Sequence, residues 1–289
     1  MLQSVLRVHK GIAHGRHNGS LDYCTSDCQL SDSSMTIADV HFAIGKTHKV
    51  CQDYGMADDS VKDFAQVVIC DGCSSSEDTD WGARLLARSQ ILTYSTDFAS
   101  GVIRQADRWR ASLGLAPEAL DATLLVVQET VQGDVEAVVR GDGIVVARRR
   151  DGRVQHWSVS FTHNAPAYLS YLLSTERLGT YLAAAGLRLI NGLEPNLADP
   201  GDSVRQRFSR AEYDMVLIMS DGAESFQKRQ GTCFVSVPLE DVIAQVMDFK
   251  IVGPGFIKRR MGRFLTKFCP ENGWHHNDDF TVAGIAFDP

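Results

Sequence analysis

One recurring pattern restricts the fold of this chain more than any other: an apolar run that ends on a carboxylate followed by glycine. The clearest copy is Gln66-Val67-Val68-Ile69-Cys70-Asp71-Gly72, with Cys73 and three serines directly after it. A second is Met215-Val216-Leu217-Ile218-Met219-Ser220-Asp221-Gly222, and a weaker third is Glu136-Ala137-Val138-Val139-Arg140-Gly141-Asp142-Gly143. Short continuous apolar runs bounded by turn residues read as buried strands. A buried strand that stops on Asp-Gly sets an acid at the mouth of its sheet. The glycine lets the backbone turn sharply and offers its own carbonyl to whatever the acid holds. A fourth acidic cluster, Asn277-Asp278-Asp279, precedes the final apolar run, Phe280 to Phe287. Carboxylates delivered by several strand ends predict one site for hard cations with oxygen ligands.

The stretches between these strands predict the fold class. Met35 to Gly45 reads as a strand, Lys46-Thr47-His48-Lys49 as a polar turn, and Cys51 to Ala57 as the start of a second strand. Neighbouring short strands of this kind are expected to pair antiparallel. Apolar residues at Trp81, Leu85, Leu86, Ile91, Leu92 and Tyr94 have helical spacing, with Thr79 or Asp80 as cap. A second helix is predicted over Val102 to Leu113, stopped by Gly114 and Pro117. Strands at Ala122 to Gln128, Val135 to Val139, Ile144 to Ala147 and Val154 to Phe161 then read as a second meander, with Asp151-Gly152 as a hairpin turn. Thr162 to Pro200 is irregular, with short helices at Tyr168 to Leu173 and Leu178 to Ala185 and a turn-rich Asn191 to Gly201. It reads as an insertion over one end of the sheets, where substrate selection would sit. Strands at Val204 to Phe208 and Asp214 to Met219, helices at Leu239 to Phe249 and Phe256 to Phe268, a loop over Pro270 to Asn277 and a closing strand complete the chain. Meanders with helices grouped around them predict an α+β sandwich rather than a repeated βαβ unit.

Composition closes off several function classes. At 289 residues and 44% hydrophobic, the chain can bury a full core, and one domain over residues 35–289 with an N-terminal extension over 1–34 is expected. The extension is rich in Gly, Ser, His and Asp and predicts weak order. Its His9, His14 and His17 read as solvated rather than metal-bound. A net charge of −7 argues against a nucleic-acid partner. No apolar run approaches a membrane span, and Arg7, His9 and Lys10 interrupt any signal-peptide core, so no membrane partner and a cytoplasmic location are expected. Seven scattered cysteines fit reduced thiols. Cys70 and Cys73 form a Cys-x-x-Cys with no second pair at zinc spacing, so they read as small residues packed beside Asp71.

Asp53, Asp71, Asp142, Asp221 and Asp278 all stand next to predicted strand ends or turns. Gathered in one pocket they would repel each other by several kcal/mol at low dielectric unless cations sit among them. Magnesium and manganese suit such ligands, and a pair of them ~3.5–4 Å apart can acidify a water and aim it at phosphorus.

The order of these motifs resembles the metal-dependent protein phosphatases, the type 2C serine/threonine (PPM) family, in its bacterial form. The matching segments are Cys51-Gln52-Asp53, Cys70-Asp71-Gly72, Ala122-Thr123-Leu124, Gly141-Asp142-Gly143, Ser220-Asp221-Gly222 and Asp278-Asp279-Phe280-Thr281. The resemblance spans Ile37 to Phe287 and implies a four-layer α/β/β/α sandwich of two mainly antiparallel sheets flanked by helices. It implies two or three Mg or Mn ions. Asp71 would bridge two of them, the Gly72 carbonyl and Asp53 would complete one, and Asp221 and Asp278 the other, with Asp142 and Asp221 at a looser third. It further implies attack of an activated water on a phosphoserine or phosphothreonine protein, without a phosphoenzyme, and an opposing kinase as a possible partner. Asp71 and Asp221 would be central to catalysis. His48 is the best-placed general acid. The chain departs from the family at Gln52, Cys73 and Gly143, and it has no clear match for the family's phosphate-binding arginine. Lys46, His48 or Lys49 would replace it, a lysine acting as a point charge. Two rival readings remain: a phosphatase-fold regulatory domain with little or no catalysis, and a haloacid-dehalogenase-type phosphatase. The latter needs a second acid two residues after its nucleophile, where this chain has Cys73.

Overall fold

The computed structural model describes residues 36–287, except 62, 63, 94, 96, 185 and 198. The expectations placed on residues 1–34 lie outside the described residues. The chain opens with β1 (Thr36–Ala43), β2 (Tyr54–Val61) and β3 (Phe64–Cys70), followed by helices α1 (Thr79–Thr93) and α2 (Ala99–Ser112). Four strands come next: β4 (Leu124–Glu129), β5 (Val135–Arg140), β6 (Gly143–Arg149) and β7 (Val154–Phe161). Helix α3 (Thr175–Ala184) leads into β8 (Leu187–Ile190), β9 (Leu193–Leu197), β10 (Val204–Phe208) and β11 (Tyr213–Met219). The last part holds β12 (Phe226–Gln230), β13 (Cys233–Ser236), α4 (Leu239–Met247), α5 (Phe256–Arg263), β14 (Trp274–His276) and β15 (Phe280–Phe287).

Two sheets carry the fold. One runs β1-β15-β11-β6-β7-β8-β9, the other β10-β5-β4-β3-β2, and every pairing in them is antiparallel. Alternation along the strands gives each sheet two apolar faces. In β3, Val67 and Ile69 meet Val216, Ile218, Ala283 and Ile285 of the other sheet, while Val68 and Cys70 face Leu86, Ala83 and Val102 of the first helix pair. In the other sheet, Met215, Leu217 and Met219 pack on Val242 and Val246 of α4 and Ile257 and Met261 of α5. The layers are therefore helices, sheet, sheet, helices, the α+β sandwich expected.

Several details differ from the sequence reading, each because a long-range partner overrides a local one. β1 pairs with β15 rather than with β2, which lies in the opposite sheet. The second meander is split: β4 and β5 belong to one sheet and β6 and β7 to the other, and the chain changes sheets at Gly141-Asp142-Gly143. Gly143 has φ +136, and a Cβ there would lie 2.5 Å from the Leu125 side chain, so only glycine fits the crossing. The turn-rich stretch after Asn191 contains β9, which closes a hairpin with β8 at the edge of the larger sheet. A third sheet, β13-β12-β14, occupies part of the stretch expected to be loop. Trp81 and Leu92 lie on the exposed side of α1, at 50% and 51% exposure, and its core face is Ala83, Leu86, Ala87 and Ile91. Thr79 does not cap that helix. Its hydroxyl donates to the Cys73 carbonyl (3.1 Å) and accepts from the Gln52 amide (2.8 Å). Among the described residues, no helix is long and apolar enough to cross a membrane.

Candidate active site

The strand registers bring the acidic turns to one end of both sheets. Tyr54 pairs with Cys70, Leu124 with Arg140, Met219 with both Ile144 and Val282, and Ala43 with Phe280. Asp53 thus precedes β2 where Asp71 follows β3, Asp142 sits between β5 and β6, Asp221 follows β11, and Asp278 precedes β15. Close packing holds the turns in place. A Cβ on Gly222 would come within 1.7 Å of the Asp279 carbonyl oxygen, so glycine is what lets the turn after β11 lie against the entry to β15. Thr123 laces the turn after β3: its hydroxyl accepts from the Asp71 amide (3.1 Å) and its own amide donates to the Asp71 carbonyl (2.8 Å).

A cleft of about 210 Å³ opens at this end. Its lining includes Asp71, Gly72, Thr123, Asp142, Asp221 and Asp278, together with Cys73, Ser74 and Ser75 from the turn after β3 and Asn164, Pro166 and Tyr168 from the segment before α3. Among these lining residues there is no lysine or arginine. Asp71 keeps some solvent contact through the mouth but is ringed by protein otherwise, and its carboxylate reaches hydrogen-bonding distance of those of Asp53 and Asp221. Burial, then the charges of Asp53 and Asp221, push Asp71 well above the usual carboxylate range. Burial pushes Asp142 up to about 8, with Asp221 adding to it. Asp278 and Glu224 are raised by burial and by Asp221 as well. Asp53 is fully buried beneath the cleft. Burial pushes it up to about 7, although the Thr281 and Ser220 hydroxyls pull the other way. The Ser220 hydroxyl donates to Asp53 Oδ2 at 2.8 Å.

A second network stands at the rim. His48 Nε2 is 3.3 Å from Asp278 Oδ1, and Nδ1 is 3.0 Å from Asp279 Oδ2. Burial alone would lower the His48 imidazole, but the hydrogen bond to Asp279 and the charges of Asp279, Asp278 and Asp53 outweigh it and raise it. Asp279 is buried and also accepts from the Gly45 amide (2.7 Å) and the Gln52 amide (2.6 Å). It ties the His48 turn to the start of β15.

The structure gathers Asp71, Gly72, Asp142, Asp221 and Asp278 around the cleft, with Asp53 below and His48 at the side. Lys46 and Lys49 are exposed and do not line the cleft, and Lys46 Nζ lies 5.6 Å from the Phe234 ring centroid. Sequence reasoning chose Asp278 from an Asp-Asp pair and gave Asp279 no role; only the backbone turn separates the cleft-facing acid from the buried one. It also missed Tyr168 and Asn164, for which the irregular segment offers no signal. Thr123 was flagged only through its motif.

The donor set suits a hard divalent cation. Carboxylates within hydrogen-bonding distance of each other need either protons or cations between them. Among the described residues no three His, Cys, Asp or Glu side chains close on a single point. An ion held here would therefore take much of its shell from water and the Gly72 carbonyl, as magnesium commonly does.

The family model described as Protein phosphatase 2C matches residues 45–266, well over half of the chain. The match stops short of β15, whose entry supplies Asp278. No curated protein matches the chain in a sequence search. Among solved structures, the chain is similar in fold to the serine/threonine phosphatase Stp1 from Staphylococcus aureus, at 12% identity and a TM-score of 0.53, over 96% of this chain and 100% of that one. It is also similar to a bacterial serine phosphatase, at 13% identity and a TM-score of 0.51, over 87% of this chain and 97% of that one.

Proposed function

Because the chain belongs to the protein phosphatase 2C family, we propose that it is a metal-dependent phosphomonoester hydrolase acting on phosphoserine or phosphothreonine in proteins. The observation that carries this reading is the cleft itself: four carboxylates and no basic side chain line it. A phosphate dianion enters such a cleft only if cations already balance the acids. Asp71, Asp221, Asp278 and the Gly72 carbonyl would hold two magnesium or manganese ions, with Asp53 supporting Asp71 from below and Asp142 at a third position. Bound there, the ions supply positive charge to the phosphate and lower the pKa of an attacking water.

The chain's own residues do the rest. Thr123 fixes the backbone of Asp71, and Ser220 fixes Asp53. His48, whose imidazole Asp279 and Asp278 raise above its ordinary value, would give a proton to the departing serine or threonine oxygen. Lys46 and Lys49, exposed on the His48 turn, would meet the protein substrate rather than the phosphate. Residues 35–289 would form the catalytic domain, with 162–200 reading the substrate. A serine/threonine kinase would supply the phosphoprotein. The free Cys51, Cys70, Cys73, Cys233 and Cys269 fit a reducing, cytoplasmic setting.

The test is manganese-dependent hydrolysis of p-nitrophenyl phosphate and of phosphoserine, phosphothreonine and phosphotyrosine peptides. Asp71→Asn and Asp221→Asn should each abolish it; undiminished turnover in both would sink the assignment. The absence of a basic residue from the cleft lining also favours a second reading, a regulatory domain that binds phosphoproteins and turns them over poorly. That reading predicts peptide binding in the parent protein without measurable hydrolysis.

A further inference from the structure

One buried carboxylate close to the cleft belongs to no part of the proposed chemistry. Asp121 is 5% exposed. Its two carboxylate oxygens accept from the one guanidinium nitrogen Arg177 Nη2 at 2.8 Å each, and Oδ1 also accepts from the Ser170 hydroxyl at 2.5 Å. Ser76 donates to Oδ2 at 3.3 Å. The backbone around Asp121 is laced to the Asp71 turn. The Cys73 amide donates to the Asp121 carbonyl (2.8 Å), Gly72 bridges Ala122, and Thr123 binds Asp71 twice.

On the other side, Arg177 belongs to the segment over the cleft. It stands in the first turn of α3, where its amide donates to the Ser174 hydroxyl at 3.3 Å, an N-terminal cap. Its guanidinium lies 5.1 Å from the Tyr171 ring centroid, and Tyr171 stacks on Tyr181 at 4.7 Å. The Tyr181 hydroxyl donates to the Ala165 carbonyl, between the cleft residues Asn164 and Pro166. Tyr168, another wall of the cleft, precedes Ser170 by two residues.

We propose that the Arg177–Asp121 pair is a strap that couples the wall formed by residues 164–181 to the turn carrying Asp71 and Gly72. Arg177 is a positioning residue: it touches neither ion nor phosphate. The inference rests on the metal site proposed above and adds to it a route by which substrate seated against the wall tightens ion binding. Coupling between two binding events is reciprocal, so ions would tighten substrate to the same extent.

The test compares Arg177→Gln, Arg177→Lys and Asp121→Asn with the parent, measuring manganese affinity by calorimetry and kcat and KM on p-nitrophenyl phosphate and a phosphopeptide. Arg148→Gln is the control. It breaks another arginine–carboxylate pair, Arg148 Nε and Nη2 to Asp214 at 2.9 and 3.1 Å, at the far end of β6. Residues that orient ligands from behind typically change metal affinity about 10- to 100-fold, and that loss is expected for Arg177→Gln. Arg177→Lys, with its charge but without the planar guanidinium, should lie between, and the double variant Arg177→Gln/Asp121→Asn should bind no worse than the weaker single. The KM for the phosphopeptide should rise more than that for the aryl phosphate, while Arg148→Gln changes neither. Manganese affinity in Arg177→Gln and Arg177→Lys within about twofold of the parent, with thermal stability falling as in Arg148→Gln, would reduce the pair to a structural ion pair and overturn the proposal. A parent that binds no manganese would overturn the metal site and the strap together, so the two failures are distinct.

Discussion

Stripping divalent ions from this protein should make its stability fall as pH rises, the reverse of ordinary acid denaturation. The cause is Asp53, fully buried and pushed from 3.8 up to about 7, with Asp142 pushed up to about 8. Each is a carboxyl that the folded state prefers protonated. Below pH 3.8 folded and unfolded chains both hold the proton, and the stability is fully present. Between there and about 7 the unfolded chain has released a proton that the folded chain retains, so the folded state loses ground with every step in pH. Asp142 extends the window to about 8. For Asp53 the displacement corresponds to on the order of 4 kcal/mol at 1.36 kcal/mol per pH unit. The carboxylates interact through Asp71, so one group's worth is the fair measure of the set. In a domain of this size that is a drop in Tm of roughly 10 °C. The assay is thermal unfolding by circular dichroism in EDTA from about pH 4.5 to about pH 8.5, for the parent and Asp53→Asn. Asparagine keeps an acceptor for the Ser220 hydroxyl and removes the ionisable group. Asp53→Asn should therefore melt above the parent at high pH and close to it at low pH. Magnesium at 100 times its Kd should restore about 2.7 kcal/mol to the parent at high pH. A metal-free parent whose Tm is flat or climbs across this range, or an Asp53→Asn that melts below it at high pH, would refute the reasoning.

Other outcomes follow from particular contacts. His48→Gln should lower kcat and remove the alkaline limb of the pH–rate profile, because the parent loses its protonated imidazole as pH rises through a value held above the ordinary one; an unchanged profile would remove His48 from proton transfer. Gly222→Ala should push β15 away through the 1.7 Å approach to the Asp279 carbonyl, lowering both Tm and manganese affinity, as thermal unfolding and calorimetry would read. Phe264→Ala removes a fully buried ring stacked on Phe226 at 5.4 Å and should cost about 3–5 kcal/mol in urea unfolding.

The sequence by itself determined the central strands and where they stop. Val67 to Cys70 and Val216 to Met219 are apolar on every residue, so both faces must be covered. Asp71-Gly72 and Asp221-Gly222 end them in a way that needs only local chemistry to recognise. The same locality explains why the acids of the cleft were legible: each is marked by its own strand. What depended on partners far along the chain was not. That β1 pairs with β15, that Gly141 to Gly143 crosses between sheets, and that β12, β13 and β14 form a third sheet are matters of which edges meet in space. Asp278 and Asp279 are equivalent in sequence, and the fold alone turns one to the cleft and buries the other against Gly45, Gln52 and His48. The hold of Arg177 on Asp121 joins residues with no shared periodicity or motif, since a guanidinium finds its carboxylate through packing rather than through spacing.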